Sequence, residues 1–293
     1  MHVIIEAYMK IKMNRRAISP VVAVMLMTVL TMAAIGISLV YMMPNISKFK
    51  DKSYNNSNNL YFVALDSTIQ DLINNPPPSG KNFYFNQEQG QLFLDSSWLL
   101  LFIMRDVGGT INNLVLQDNV TRLIHRGTAV ADFDKGEHRY LLGPQAQDYL
   151  FINGSSTIYN EISILNGSRT IFEPSYLDIS LYYRYVLDTN YIESGSTEIY
   201  NLDIIHVNLI ANESSIISST QKSISLQVTY LGTTIEDLGS FSFTSDIFGE
   251  IRLLDQFGYY QYEYPFYFPV NPGFISHLVN VNMINIDVSI SFV

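Results

Sequence analysis

Cysteine is absent from all 293 residues, which removes disulfides, thiolate metal sites and cysteine nucleophiles from consideration. Charge is scarce too: Asp, Glu, Lys and Arg make up 15% of the chain, against roughly a quarter in soluble globular domains. Basic residues are the scarcer kind, 17 Lys and Arg against 27 Asp and Glu, for a net charge of −10. The first 17 residues hold Lys10, Lys12, Arg15 and Arg16 against Glu6, a balance of +3, so residues 18–293 carry −13. A nucleic-acid binder needs a basic stripe to displace counterions from phosphates, and there is none here.

Catalytic signatures are equally sparse. There is no G-x-S-x-G, no H-E-x-x-H and no phosphate loop. The histidines at 2, 125, 138, 206 and 277 show no ligand spacing. Asp203 and His206 stand three apart in an expected strand, which sends them to opposite faces. Asp132, Asp134 and Glu137 around Gly136 lack the ligand pattern of a calcium loop. No cofactor or metal is expected, and the chain does not read as an enzyme.

What the chain has in quantity is apolar and strand-forming residues: 47% are hydrophobic, and 20 are tyrosine. The apolar content is concentrated at one place. Ala17 to Ser47 is an uncharged run, longer than the ~20 residues that span a bilayer and too long for the ~7–15-residue core of an ordinary cleaved signal. Arg15 and Arg16 precede it directly, so the positive-inside rule keeps the N-terminus in the cytoplasm and sends the body outside. Lys48, Lys50 and Lys52 beyond the run weaken that bias.

Within the run, Ser19-Pro20 places proline in the first helical turn, where its missing N–H costs nothing. Ala33, Ala34, Gly36 and Ser38 are small enough to let neighbouring helices approach closely. Pro44 is expected to kink or end the helix. The polar stretch 45–59 reads as a loose joint. Phe62, Leu65, Ile69, Leu72 and Ile73 then restore helical spacing as far as Asn74-Asn75-Pro76-Pro77-Pro78.

From residue 80 the period becomes two. Strands are expected at 82–86, 91–94, 98–104, 111–116, 121–124, 149–152, 158–165, 177–187, 199–210, 223–230, 241–244 and 281–292. Gly108-Gly109, Asn153-Gly154, Asn166-Gly167 and Gly195-Ser196 supply turns. A turn-then-strand pattern recurs after Asn153, Asn166 and Ser194, suggesting successive turns of a meander. The organisation is α+β: a basic segment over 1–17, a hydrophobic transmembrane helix over 18–47, a polar joint and amphipathic helix over 48–78, and a β-rich head over 79–293. The head is expected to be an antiparallel, sandwich-like, extracellular all-β unit.

Two further features bear on contacts with the outside. Asn-X-Ser/Thr sequons at Asn45, Asn55, Asn119, Asn153, Asn166 and Asn212 are candidate glycan acceptors. Tyr260, Tyr262, Tyr264, Phe266 and Phe268 alternate within a segment bounded by Gly258 and Pro269, so an extended chain presents them on one face. That face suits the core, a subunit contact or stacking on an external ligand, and Pro265 and Pro269 push it to a sheet edge or a loop.

The junction Arg15-Arg16-Ala17-Ile18-Ser19-Pro20-Val21-Val22-Ala23-Val24 resembles the start of archaeal type IV pilins, in which a basic leader precedes an ISPVVA-type helix opening. The resemblance covers about thirty residues. It implies that a prepilin peptidase cuts between Ala17 and Ile18, with Arg15 and Arg16 as the basic part of the leader. It implies a retained helix that sits in the membrane before assembly and in a filament core afterwards. Partners would be other pilin subunits through that helix, the peptidase and the membrane. Bacterial members carry a Glu where this chain has Val22, which points to the archaeal branch. Met13 is an alternative start that gives the leader MNRRA. The resemblance implies a pilin or minor pilin with a role in adhesion or assembly. The alternative is a single-pass surface binding protein that does not polymerise.

This reading is checked by mass spectrometry of the mature N-terminus, which should be Ile18. Replacing Arg15 and Arg16 together by Glu should leave a longer, uncut precursor in the membrane.

Overall fold

The computed structural model describes residues 20–75, 80–86, 90–106, 112–128, 138–142, 151–153, 160–167, 176–183, 185–211, 223–254 and 260–293. The expected leader residues Arg15, Arg16, Ala17 and Ile18, the acidic turn 132–137 and Asn212 lie outside them. The chain divides into two compact units, 1–50 and 51–293.

Helix α1 runs from Pro20 to Asn74 without interruption. Proline opens it, as the spacing predicts. Pro44 does not end it, and 45–59 is helix where composition suggests a joint. The reason is cooperativity. Extending a helix is far cheaper than nucleating one, and this polar stretch is flanked by an apolar run and a packed amphipathic run. Local side chains also support the backbone here: Asn45 Nδ2 donates to the Tyr41 carbonyl at 3.2 Å, and Ser57 Oγ to that of Ser53 at 3.0 Å.

Unit 51–293 is built on the second part of α1. Phe62, Leu65, Ile69 and Leu72 are fully buried, following the three- and four-residue spacing that puts them on one face. Asp66 interrupts this apolar stripe, also buried, and accepts a hydrogen bond from the Tyr183 hydroxyl at 2.9 Å. A buried carboxylate needs such a donor. Burial, and after it the charge and hydrogen bond of Asp66, drive the Tyr183 pKa well up.

Around the helix lie two curled sheets in a sandwich-like arrangement. Their strands are β1 (Lys81–Asn86), β2 (Gln91–Asp106), β3 (Asn112–Thr128), β4 (His138–Leu142), β5 (Phe151–Asn153), β6 (Asn160–Gly167), β7 (Tyr176–Tyr183), β8 (Tyr185–Ser194), β9 (Thr197–Ala211), β10 (Ser223–Phe243), β11 (Ile247–Leu254), β12 (Tyr260–Phe268) and β13 (Ser276–Phe292). The first sheet has the order β1-β10-β13-β9-β8-β5 and the second β12-β11-β2-β3-β7-β6-β4. Most pairs are antiparallel as expected, but β13 with β9 and β5 with β8 are parallel. Period-two patterning marks a strand and says nothing of its partner's direction.

Several expected segments fuse. The two pieces of β2 join across a register shift between Asp95 and Trp98, and those of β10 across shifts at Gly232 and Gly239. Both glycines have positive φ, a region costly for other residues. Gly195-Ser196 is a two-residue turn between β8 and β9, with Ser194 opposite Thr197. The expected meander through Asn153 and Asn166 is not formed. β5 and β6 lie in different sheets, and Asn166 and Gly167 are the last paired residues of β6, opposite Leu177 and Tyr176. β11 was not expected; its alternation is masked by Gly249 and two charged residues.

Two cores result. One gathers the helix stripe with Leu92, Leu123, Ile179 and Leu181 of the second sheet and Leu226, Leu209 and Val288 of the first. The other joins the sheets directly, through Trp98, Phe102, Val120 and Ile251 against Leu202, Ile204, Val281 and Met283. Along β9 the residues of the second core are even-numbered and those of the first odd-numbered. No register shift separates them, so the two cores lie on opposite faces of one twisted sheet.

Leu65→Ala should lower unfolding free energy by about 3 kcal/mol in chemical denaturation, as a large-to-small change at a fully buried site. Gly90→Ala should cost about 2 kcal/mol. Gly90 has φ +105°, and an added Cβ would lie 2.5 Å from the Arg126 carbonyl oxygen.

Candidate functional site

The N-terminal part of α1 presents its apolar side chains outward. Every residue from Pro20 to Lys50 is exposed within its unit, and the helix is long and apolar enough to cross a membrane. Thr28 and Thr31 return their hydroxyls to the Val24 and Met27 carbonyls at 2.9 and 2.8 Å, so neither presents an unmet donor to an apolar surrounding. The four small residues do not form one seam. Ala34 and Ser38, four apart, share a face. Ala33 and Gly36, three apart, share another, since residues one or two apart diverge around a helix.

The sequons differ in setting. Asn45 is exposed on α1, and Asn119 is exposed on β3. Asn55 is half-buried on α1, with its Nδ2 buried and without a hydrogen-bond partner among the described residues. Asn153 and Asn166 lie at the ends of β5 and β6.

Charge is divided between the sheets. Strands β8, β9, β10 and β13 contain Asp188, Glu193, Glu198, Asp203, Glu236, Asp237 and Asp287, and not one Lys or Arg. Three arginines of the second sheet are neutralised locally. Arg126 makes a bidentate pair with Asp178, at 2.7 and 2.6 Å. Arg122 pairs with Asp95 and stands over the Trp98 ring at 3.7 Å. Arg252 pairs with Glu250.

One opening combines this acidic sheet with the aromatic segment. β12 is an edge strand, one of the two settings its proline allows, and Pro265 faces Glu250 of β11. A cleft of about 320 Å³ lies between β12 and the strands β8 and β9. Leu187 and Leu202 give it an apolar lining, Tyr200, Phe266 and Phe268 an aromatic one. The more exposed Thr189, Pro265 and Tyr267 complete it. Of the five alternating aromatics, Phe268 is buried and Phe266 half-buried, and both pack into the second core. The side chains of Tyr260, Tyr262 and Tyr264 lie outside the described residues.

Cross-strand register orders the ground beside the cleft. Thr189 lies opposite Leu202, Tyr191 opposite Tyr200, and Glu193 opposite Glu198. Tyr191 donates to Glu193 at 3.0 Å and Tyr200 to Glu198 at 3.1 Å. Burial and the carboxylate partners raise both phenols, Tyr191 well above its ordinary value and Tyr200 to about 12. Tyr267 donates to Asp246, which raises the phenol and holds the carboxyl below its ordinary value. His277 Nε2 is 3.2 Å from Glu198 Oε2. Sequence reading singled out Phe266 and Phe268 but not Tyr191, Tyr200, Glu193 or Glu198. The last four become neighbours only through β8–β9 pairing.

Asp203 and His206 point to opposite faces, as expected. Asp203 accepts from Asn282 Nδ2 at 2.8 Å, while His206 is buried and stacked on Tyr185, with ring centroids 4.1 Å apart. Neither ring nitrogen of His206 has a hydrogen-bond partner among the described residues. Among these residues no three His, Asp or Glu side chains gather as a metal site. No family model, curated protein or solved structure matches the chain.

Burial holds the His206 pKa at about 3, against 6.5 for the free side chain. The unfolded chain therefore takes up this proton below about pH 6.5 and the folded chain only near pH 3. Stability is lost as pH falls through that window and is unaffected by this group above it. His206→Phe keeps a ring against Tyr185 and removes the proton uptake. Its Tm should fall less than that of the parent between about pH 7 and pH 4, measured by thermal denaturation.

Proposed function

We propose that the chain is a pilin-like subunit of a surface filament, held in the membrane by α1 before assembly and packed through α1 afterwards. The observation that carries this reading is the division of labour along one helix. Its first part is uncharged over Ala17–Ser47 and exposed throughout its described length, and its last part is built into the core of a β-rich head. A plain anchor needs only ~20 apolar residues and no continuation into the head. The processing junction at Ala17-Ile18 and the resemblance it carries support the same reading. The head would lie outside the cell, and its size favours a minor or tip role in adhesion or assembly.

A second reading, a non-polymerising surface binding protein, is supported by the cleft between β12 and β8–β9. The two readings separate on helix packing. In lipid, association between helices depends on close approach at small residues. Leu at both Ala34 and Ser38 preserves insertion, yet should lower recovery in sheared surface filaments at least several-fold. Leu at Val40, a bulky position, should leave recovery unchanged. Equal recovery of both variants, or absence of the parent from filaments, favours the second reading.

A further inference from the structure

We propose that the cleft between β12 and β8–β9 binds a small organic cation, an alkylammonium group, against the rings of Tyr200, Phe266 and Tyr267. The first argument is the lining. Tyr and Phe faces carry the negative side of the ring quadrupole and attract a cation that approaches them. Two of these rings donate their hydroxyls to carboxylates, Tyr200 to Glu198 and Tyr267 to Asp246. A phenol hydrogen-bonded to an anion is more electron-rich, which strengthens the attraction of its face for positive charge.

The second argument is the field. Glu193 and Glu198 are directly opposed across β8 and β9, a like-charge pairing that is destabilising by itself. Tyr191 and His277 moderate it, but β8, β9, β12 and β13 supply no Lys or Arg as a counter-charge. A cation in the cleft relieves that repulsion. An anionic ligand would add to it, and a neutral sugar would make no use of it.

The third argument is size. A cleft of about 320 Å³ is at the small end of ligand sites, which run from roughly 300 to 1,000 Å³. That space suits a compact ammonium group and excludes an extended chain.

The test is saturation-transfer NMR on the full-length protein in polyoxyethylene-ether micelles, observing the methyl protons of choline. Three comparison ligands accompany it: 3,3-dimethylbutan-1-ol, which has the same shape without the charge, methyl β-glucoside, and N-acetyl-lysine methylamide. Choline should show transfer, and the uncharged isostere and the glucoside should not. Competition by the lysine derivative extends the site to primary ammonium groups; its failure to compete restricts it to quaternary ones. Tyr267→Ala should weaken choline binding about tenfold. Thr189→Arg, which places a guanidinium of the chain's own in the cleft, should abolish it. Both positions are exposed, so both variants should keep the parent circular-dichroism spectrum. Equal transfer to the isostere, preferential binding of the glucoside, absence of choline transfer, or choline binding indifferent to both substitutions would each overturn the proposal.

Discussion

The head depends on burying one helical stripe between two sheets. Phe62, Leu65, Ile69 and Leu72 reach strands from both sheets at once, and each such side chain contributes about 1.5–3 kcal/mol when removed from water. Without them the first core would lose the element that both sheets cover. The same stripe explains why α1 is continuous. A helix anchored by packing at one end and by an uninterrupted apolar run at the other tolerates an internal proline and an asparagine-rich middle, because the intervening turns need only be extended and not nucleated.

Polar groups in this region set the register of the helix. Asp66 is buried where the Tyr183 hydroxyl donates to it, at 2.9 Å, with Gln70 Nε2 at 3.4 Å from its other oxygen. A helix rotated or shifted by one residue would take that carboxylate away from the Tyr183 hydroxyl, and losing a donor to a buried carboxylate is costly. Apolar area thus supplies most of the stabilisation, and one carboxylate supplies much of the specificity.

Charge asymmetry between the sheets is the feature on which the proposed cation site rests. In the second sheet Arg126 is spent on Asp178 and Arg122 on Asp95. The strands β8, β9, β10 and β13 keep seven carboxylates with no Lys or Arg among them. Where that acidic sheet meets the aromatic edge strand, the tyrosine hydroxyls are oriented by the carboxylates and the cleft acquires its character. Neither the acidic count nor the aromatic alternation would produce such a site alone.

By itself the sequence determined the uncharged run, the strand-rich remainder, the end of α1 before the triple proline and the buried stripe from Phe62 to Leu72. All of these are local periodicities, and an apolar residue every third or fourth place has one favourable disposition whatever surrounds it. Most strands were legible for the same reason. The β12 segment was legible as an edge or a loop, because proline has no N–H to give to a ladder, and only the pairing with β11 decided between them. Tertiary structure alone decided that residues 45–59 are helical, that β5 and β6 part to different sheets, and that β13 runs parallel to β9. It also decided that Glu193 faces Glu198 beside Tyr200. Each of these depends on which strand or core lies next to a segment, and partner choice comes from contacts between residues far apart in the chain, which a period of two or 3.6 does not encode.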